Sequence, residues 1–329
     1  MQRRVTGVKH YMIKRIIWLV PIMFVVSIFS FMLMYLSPGD PVEIFLSKGG
    51  DVPAPAAVEA MKERLGLNEP IWKQYTTWIT NIMHGDFGSS ITSGRPVLSE
   101  ILKYFPNTLR LTFMSIGLTL LISIPLGILA AVKENKATDN LIRVVSFINS
   151  AMPGFFVALI LIYIFSVKLR LLPTISTGNA SGIILPTLAL TICLSASYVR
   201  QVRAAIIKEM GEEYIRMARA RGIREQSILL GSALKRTMPA ILTIAGINIG
   251  HLLGGTAIIE IVCTYPGVGR QAVRAIADRD YPMVQGYVLL MAVIFVVVNL
   301  IVDVLHAHAD PLVKRRILIE NRRSRRTQA

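Results

Sequence analysis

Charged residues along this chain are clumped, and the gaps between the clumps are long. Six windows contain no Asp, Glu, Lys or Arg: Ile16 to Gly39 (24 residues), Leu111 to Val132 (22), Val144 to Val167 (24), Leu171 to Val199 (29), Thr237 to Ile259 (23) and Tyr281 to Val302 (22). A helix needs about 20 residues to cross about 30 Å of hydrocarbon, so each window predicts a membrane span. The fourth window opens with the turn-rich LLPTISTGNASG, which places its helix start near Ile183. The expectation is an all-α integral membrane protein with six transmembrane helices. The first window exceeds the length of a secretory hydrophobic region and is read as a retained helix.

Breakers and polar runs divide the rest. SPGDP closes the first span at Ser37 to Pro41. The expected order is a cytoplasmic N-terminus at 1–15, helix 1 at 16–39, an extracytoplasmic region at 40–106, a transmembrane core of helices 2–6 at 107–307 and a basic cytoplasmic tail at 308–329. The region after helix 1 predicts an amphipathic helix in PAPAAVEAMKERLGL, with Pro53 and Pro55 before its first turn and Gly66 near its end. Trp72, Tyr75 and Trp78 follow at steps of three, as interface anchors, subdomain packing or a docking surface. Pro125 with Gly127, and Pro153 with Gly154, predict kinks in helices 2 and 3. Helix 4 is expected to run past Val199 and project from the membrane until Gly211 breaks it. Gly246, Gly250 and Gly254 recur every four residues and predict a ridge for close helix approach.

Composition agrees with the membrane class: 53% of residues are hydrophobic and mean hydropathy is +0.54. Ordinary soluble domains carry about 45–50% even with glycine counted. The net charge of +16 would suggest nucleic acid in a soluble protein, but its distribution removes that reading. With six spans and the N-terminus inside, the inner segments hold 24 Lys and Arg against eight acids, and the outer segments hold 12 against eleven. This positive-inside bias places both termini in the cytoplasm. Two cysteines, Cys193 and Cys263, suggest neither a disulfide framework nor a metal cluster.

Candidate chemistry is sparse. GVGRQAV lacks the Lys-Ser/Thr pair of a phosphate-binding loop, and no HExxH, CxxC or nucleophile elbow is present, so the chain is read as no enzyme, with no cofactor and no metal of its own. Polar groups inside the spans are the pathway candidates: Asn149, Ser150, Asn248, His251, Glu260 and Asp303. For Glu260 the alternatives are a structural pair with an Arg and a gate; for Asp303, an interface contact and a relay with Asn299 and His306. The inner stretch 208–239 is the most distinctive. Ala218 and Gly222, four apart, are expected to stack on one helical face as a notch rimmed by Arg216, Arg219, Arg221 and Arg224.

EYIRMARARGIREQSILLGSALKRTMP in that stretch resembles the cytoplasmic EAA-type loop of ABC importer permeases of the oligopeptide, dipeptide and nickel family. SPGDP, RLGLNEPIWKQYTTWITNIMHGDFGSS, RPVLSEIL, TYPGVGRQAV, RDYPMVQG and NLIVDVLHAHADP resemble that family's first permease subunit in the same order, covering nearly the whole chain. Arg216 and Met217 stand where the general EAA pattern has Glu and Ala, while Ala218 and Gly222 match. The resemblance implies a type I ABC importer permease fold in the cytoplasmic membrane of a bacterium or archaeon. It also implies a second permease subunit, two ATPase subunits that bind ATP, an extracytoplasmic binding protein and surrounding lipid. The ATPase-coupling residues it implies are Tyr214, Arg216, Ala218, Arg221, Gly222 and Pro239. GINIGHLLGGTAIIE is slightly closer to the nickel branch than to the peptide branch. The alternative is an ion- or proton-coupled secondary transporter built on Asp303 and His306.

Overall fold

The computed structural model describes residues 17, 20–32, 42, 43, 46, 54–176 and 181–309. The expected N-terminal segment 1–15 and the tail beyond 309 lie outside the described residues. Twelve helices are numbered here: α1 (Val20–Met32), α2 (Pro55–Leu65), α3 (Ile71–Met83), α4 (Val97–Val132), α5 (Ala137–Ala151), α6 (Gly154–Lys168), α7 (Ile184–Met210), α8 (Glu213–Ala220), α9 (Glu225–Gly255), α10 (Ala257–Val262), α11 (Val268–Ala277) and α12 (Tyr281–Ala309). Among the described residues there is no strand, only an isolated bridge between Ser89 and Pro96.

α4, α9 and α12 are long and apolar enough to cross a membrane, and a fourth span is present if α5 and α6 count as one. That pair is bent by 101°. Its window predicts one kinked helix; two helices meet instead because Met152, ahead of Pro153, is pushed to extended backbone at φ −88° and ψ 128°. α4 does the opposite and continues through both Pro106 and Pro125. α7 starts at Ile184, close to the expected place, and ends at Gly211 as expected. Its hydropathy is low for a physical reason. Eleven of its residues are buried, among them Thr187, Thr191, Ala196 and Tyr198, so it packs against protein where a lipid-facing helix would need larger apolar side chains.

The bundle is organised on the α4–α7 seam. Thr108, Thr112, Ser115, Thr119 and Ser123 form one fully buried stripe on α4, recurring at helical spacing. Thr191 Oγ1 donates to the Ser115 carbonyl and Ser123 Oγ to the Ser195 carbonyl, both at 3.4 Å, across this seam. A second pair is α9 with α12. The expected glycine ridge packs there at two of three positions, with Val302 against Gly246 and Phe295 against Gly250, while Gly254 has nothing nearby. α2 ends as expected at Gly66, and α3 lays Tyr75 and Trp78 on Phe31 of α1, with ring centroids 5.4 and 5.6 Å away. Trp72 stays exposed.

Candidate functional site

At one end of the bundle α8 lies between the end of α7 and the start of α9. Glu212, Glu213 and Tyr214 begin a short amphipathic helix whose Ile215 is fully buried, while Arg216 and Met217 are exposed. Ala218 is half-buried and Arg221 is exposed. Gly222 is not on the helical face that the Ala218–Gly222 spacing predicts. It lies past the helix end at φ +75°. Its N–H donates to the Arg219 carbonyl at 2.9 Å, and the Ile223 N–H to the Ala218 carbonyl at 3.2 Å. This is a Schellman C-cap, which needs a left-handed residue at that position. The expected notch is therefore a helix stop, and Ala218 supplies the carbonyl that closes it.

α8 is tied to both neighbouring long helices. Tyr214 Oη donates to Glu209 Oε1 of α7 at 2.6 Å. Arg236 of α9 stacks on the Tyr214 ring at 4.1 Å and reaches Glu209 at 3.7 Å. Partial burial and the adjoining Glu209 carboxylate push the Tyr214 phenol up to about 12, so it remains a donor at neutral pH. Arg219 also pairs with Glu225, at the first turn of α9. Pro239 sits within α9, where Thr243 Oγ1 donates to its carbonyl at 2.8 Å.

Near this end, Asp139 of α5 is fully buried and accepts from Arg203 Nε and Nη2 of α7, both at 2.7 Å, and from the Asn135 N–H at 2.9 Å. Sequence reasoning passed over this pair. Asp139 was legible only as an acid in the first turn of a helix, and 64 residues separate it from its partner.

The opposite end holds a second buried carboxylate. Glu260 has no exposed surface. Its Oε1 accepts from Thr108 Oγ1 at 2.7 Å and Thr256 Oγ1 at 2.8 Å, and its Oε2 from the Arg270 N–H at 2.8 Å. Thr108 Oγ1 in turn accepts the Val268 N–H at 2.9 Å. Two N–H groups in the first turn of α11 are thus capped from other elements. The anticipated arginine contributes its backbone: the Arg270 guanidinium goes to the Thr264 carbonyl at 3.0 Å. A Cβ on Gly267 would stand 2.2 Å from Glu260 Cδ, which gives the GVG run its physical reason. Asp280, also unforeseen, is buried before α12 and accepts from Ser90 Oγ and the Ile91 N–H, fastening the 90–92 loop.

The remaining pathway candidates are not brought together into one cluster. Asn149 Nδ2 donates to the Ile192 carbonyl, and Ser150 Oγ accepts from Arg200 Nη1 at 2.6 Å, both beside the α5–α6 break. Asn248 donates to its own helix at the Ile244 carbonyl, 2.9 Å away. His251 is exposed and edge-on to Phe295. Asp303 lies on α12, but its side chain is outside the described residues. Among the described residues no group of three or more His, Cys, Asp or Glu gathers for a metal.

The structure thus combines membrane-length apolar helices with a short amphipathic helix, α8, braced between α7 and α9. Residues 123–315 match the binding-protein-dependent transport system inner membrane component family, and residues 8–112 match the N-terminal membrane component of such systems. The chain belongs to this family of ABC importer permeases. It is 36% identical over 305 residues to the glutathione transport system permease protein GsiC of Escherichia coli (strain K12), covering 93% of this chain and 99% of that protein. The same figures hold for GsiC of Shigella dysenteriae serotype 1 (strain Sd197). In fold it resembles an inward-facing MetNI methionine ABC transporter chain, with TM-score 0.55 and 19% identity over 65% of this chain and 97% of that one.

Proposed function

We propose that this permease forms half of a translocation pathway for small peptides and takes its mechanical input through α8. The observation that carries the reading is the Tyr214–Glu209–Arg236 clamp, which joins α8 to α7 and α9 at once. Exposed Met217 and Ile223, rimmed by Arg216 and Arg221, offer an apolar-centred, cationic-edged surface to an ATPase subunit. The Arg-rich end is the cytoplasmic one under the positive-inside bias. When paired ATPases close, α8 moves with them, and the clamp turns that displacement into a tilt of α7 and α9. Alternating access then follows from shifting two conformations, with hydrolysis confined to the partners. A second permease subunit completes the pathway, and an extracytoplasmic binding protein delivers the solute.

Small peptides are the favoured solute class, because the GsiC relatives are named as glutathione permeases. The Glu260 network supports a positioning role at the extracytoplasmic end, with Asn149, Ser150, Asn248, His251 and Asp303 left as pathway positions. In vesicles reconstituted with its partner subunits, Met217→Glu is expected to insert and pair normally yet lose ATP-driven uptake. Undiminished uptake by this variant would remove α8 as the docking element. Mass spectrometry of the solute held by the partner binding protein tests the substrate class, and a nickel chelate there would overturn the peptide reading.

A further inference from the structure

On α5 the polar residues Asp139, Arg143, Ser146 and Ser150 recur at steps of three and four, so they share one face. The opposite face carries exposed Leu141, Val144, Val145 and Ile148, which suit lipid. Asp139 and Ser150 both bond to α7, so the polar face is the one turned to that helix. α7 brings an open polar strip of its own. Ser197 and Gln201 are half-buried and bonded to each other at 2.8 Å, and Arg200, Ala204 and Lys208 are exposed at steps of four. A hydrophilic edge between two helices of a membrane core needs water or a polar partner, since hydrocarbon supplies neither.

Arg200 stands out on this edge. Its Nη1 donates to Ser150 Oγ at 2.6 Å and to the Ser146 carbonyl at 3.4 Å. Among the described residues no carboxylate pairs with it. An arginine near a membrane surface normally extends toward the headgroups. This one reaches the other way. The charged 133–136 turn marks the membrane boundary at the α8 end, and Arg203 meets Asp139 just beyond it. Arg200 instead meets Ser150, about 16 Å further along the α5 axis. Ser150 lies beside the α5–α6 break, which is set against α7, since a Cβ on Gly154 would stand 3.4 Å from Cys193 Sγ.

We propose that Arg200 and Ser150 form a carboxylate-binding station in the translocation pathway, which takes the C-terminal carboxylate of a peptide in transit. The inference rests on the small-peptide reading above. With Nη1 held by α5, the Nε and Nη2 edge of the guanidinium has no acceptor among the described residues. Two parallel N–H donors on that edge match a carboxylate. No acid stands beside Arg200 to receive an ammonium, so the station fits the carboxylate that lies apart from the peptide's amino group. Depth selects a solute over a lipid. A phospholipid phosphate stays at the headgroups, about 15 Å from the middle of the hydrocarbon core, so the anion reaching this guanidinium is one that travels the pathway. Ala204 and Lys208 continue the open strip toward the α8 end and give that anion a way out.

Uptake of glutathione and of its glycine carboxamide tests this, each presented on the partner binding protein at equal loading to vesicles holding the full complex. Wild type should move the free acid about tenfold faster, the weight of one charge-assisted pair. Arg200→Gln should slow the free acid about tenfold and the amide far less, bringing the two rates together. A packing defect would slow both solutes alike, so an equal fall would overturn the station. Independently of any variant, diazirine-bearing glutathione held in the complex with ATP and vanadate should label peptides containing 146–150 and 197–201 several-fold above the 293–301 stretch of α12. Equal labelling of these stretches would also overturn it. Wild-type uptake of glutathione that Arg200→Gln matches would remove the station alone, whereas a wild-type complex that fails to move glutathione would remove the small-peptide reading and the station together.

Discussion

Gly222 and Gly267 show how a single missing side chain acts in two unrelated ways. At Gly222 a Cβ would meet open space, so crowding is not the constraint; backbone conformation is. An L-residue held left-handed costs roughly 1–2 kcal/mol, and Asn tolerates that region best. Gly222→Val is therefore predicted to fray α8 and reduce coupled uptake severalfold, while Gly222→Asn keeps most of it. Equal activity of the two variants would mean that the C-cap has no functional weight. Gly267 is the reverse case, since its φ of −101° suits any residue and only the Glu260 carboxyl forbids a Cβ. Gly267→Ala should lower the thermal unfolding midpoint in detergent well beyond Gly254→Ala, whose added methyl touches nothing. Removing the carboxylate by Glu260→Ala strands two hydroxyls and an N–H, each at a cost of about 1–3 kcal/mol. A midpoint unchanged from wild type in either variant would refute the cap.

Elements differ in how far the chain announced them. α2 with its Gly66 stop, the start of α7 and its break at Gly211 were legible, because Pro, Gly and charge act locally. The α5–α6 bend was legible as a proline site but not in size, since 101° depends on what packs around the break. Pro125 sent the same local signal and α4 stayed helical, with Val202 of α7 fitted against Gly127. For the candidate site, the EAA-like stretch marked where α8 would be. The Ala218–Gly222 spacing misled because it presumes a continuous helix, and the left-handed backbone at Gly222 ends it. Asp139–Arg203 was invisible because pairing across 64 residues leaves no periodic trace. That pair is testable at the same scale. Asp139 is fully buried, but neighbouring Glu134 is half-exposed and Arg203 keeps 20% exposure, so water screens part of the interaction. A double-mutant cycle of Asp139→Asn and Arg203→Gln should give a coupling of about 2 kcal/mol, between the values for exposed and fully buried pairs. A coupling near zero would remove the latch between α5 and α7.

For the whole molecule, what matters is that polar contacts tie the helices together at both ends of the bundle. Near α11, Glu260 links α10 to Thr108 of α4; near α8, Glu209 of α7 meets Arg236 of α9 through the Tyr214 ring. The first junction is sealed from solvent and the second is partly open. On the proposed function, a sealed first end and a more open second end suit a lever driven from α8, with the helices pivoting about the buried carboxylate and the exposed clamp transmitting force. Loosening the driven end should then uncouple the machine without unfolding it. In the reconstituted complex, Tyr214→Phe with Arg236→Gln is expected to retain ATP hydrolysis while solute moved per ATP falls severalfold. Thermal stability should change by no more than about 1 kcal/mol, the weight of a partly exposed polar pair. An unchanged transport ratio would place the coupling elsewhere. Loss of hydrolysis together with uptake would show that the clamp shapes the docking surface and does not transmit its movement.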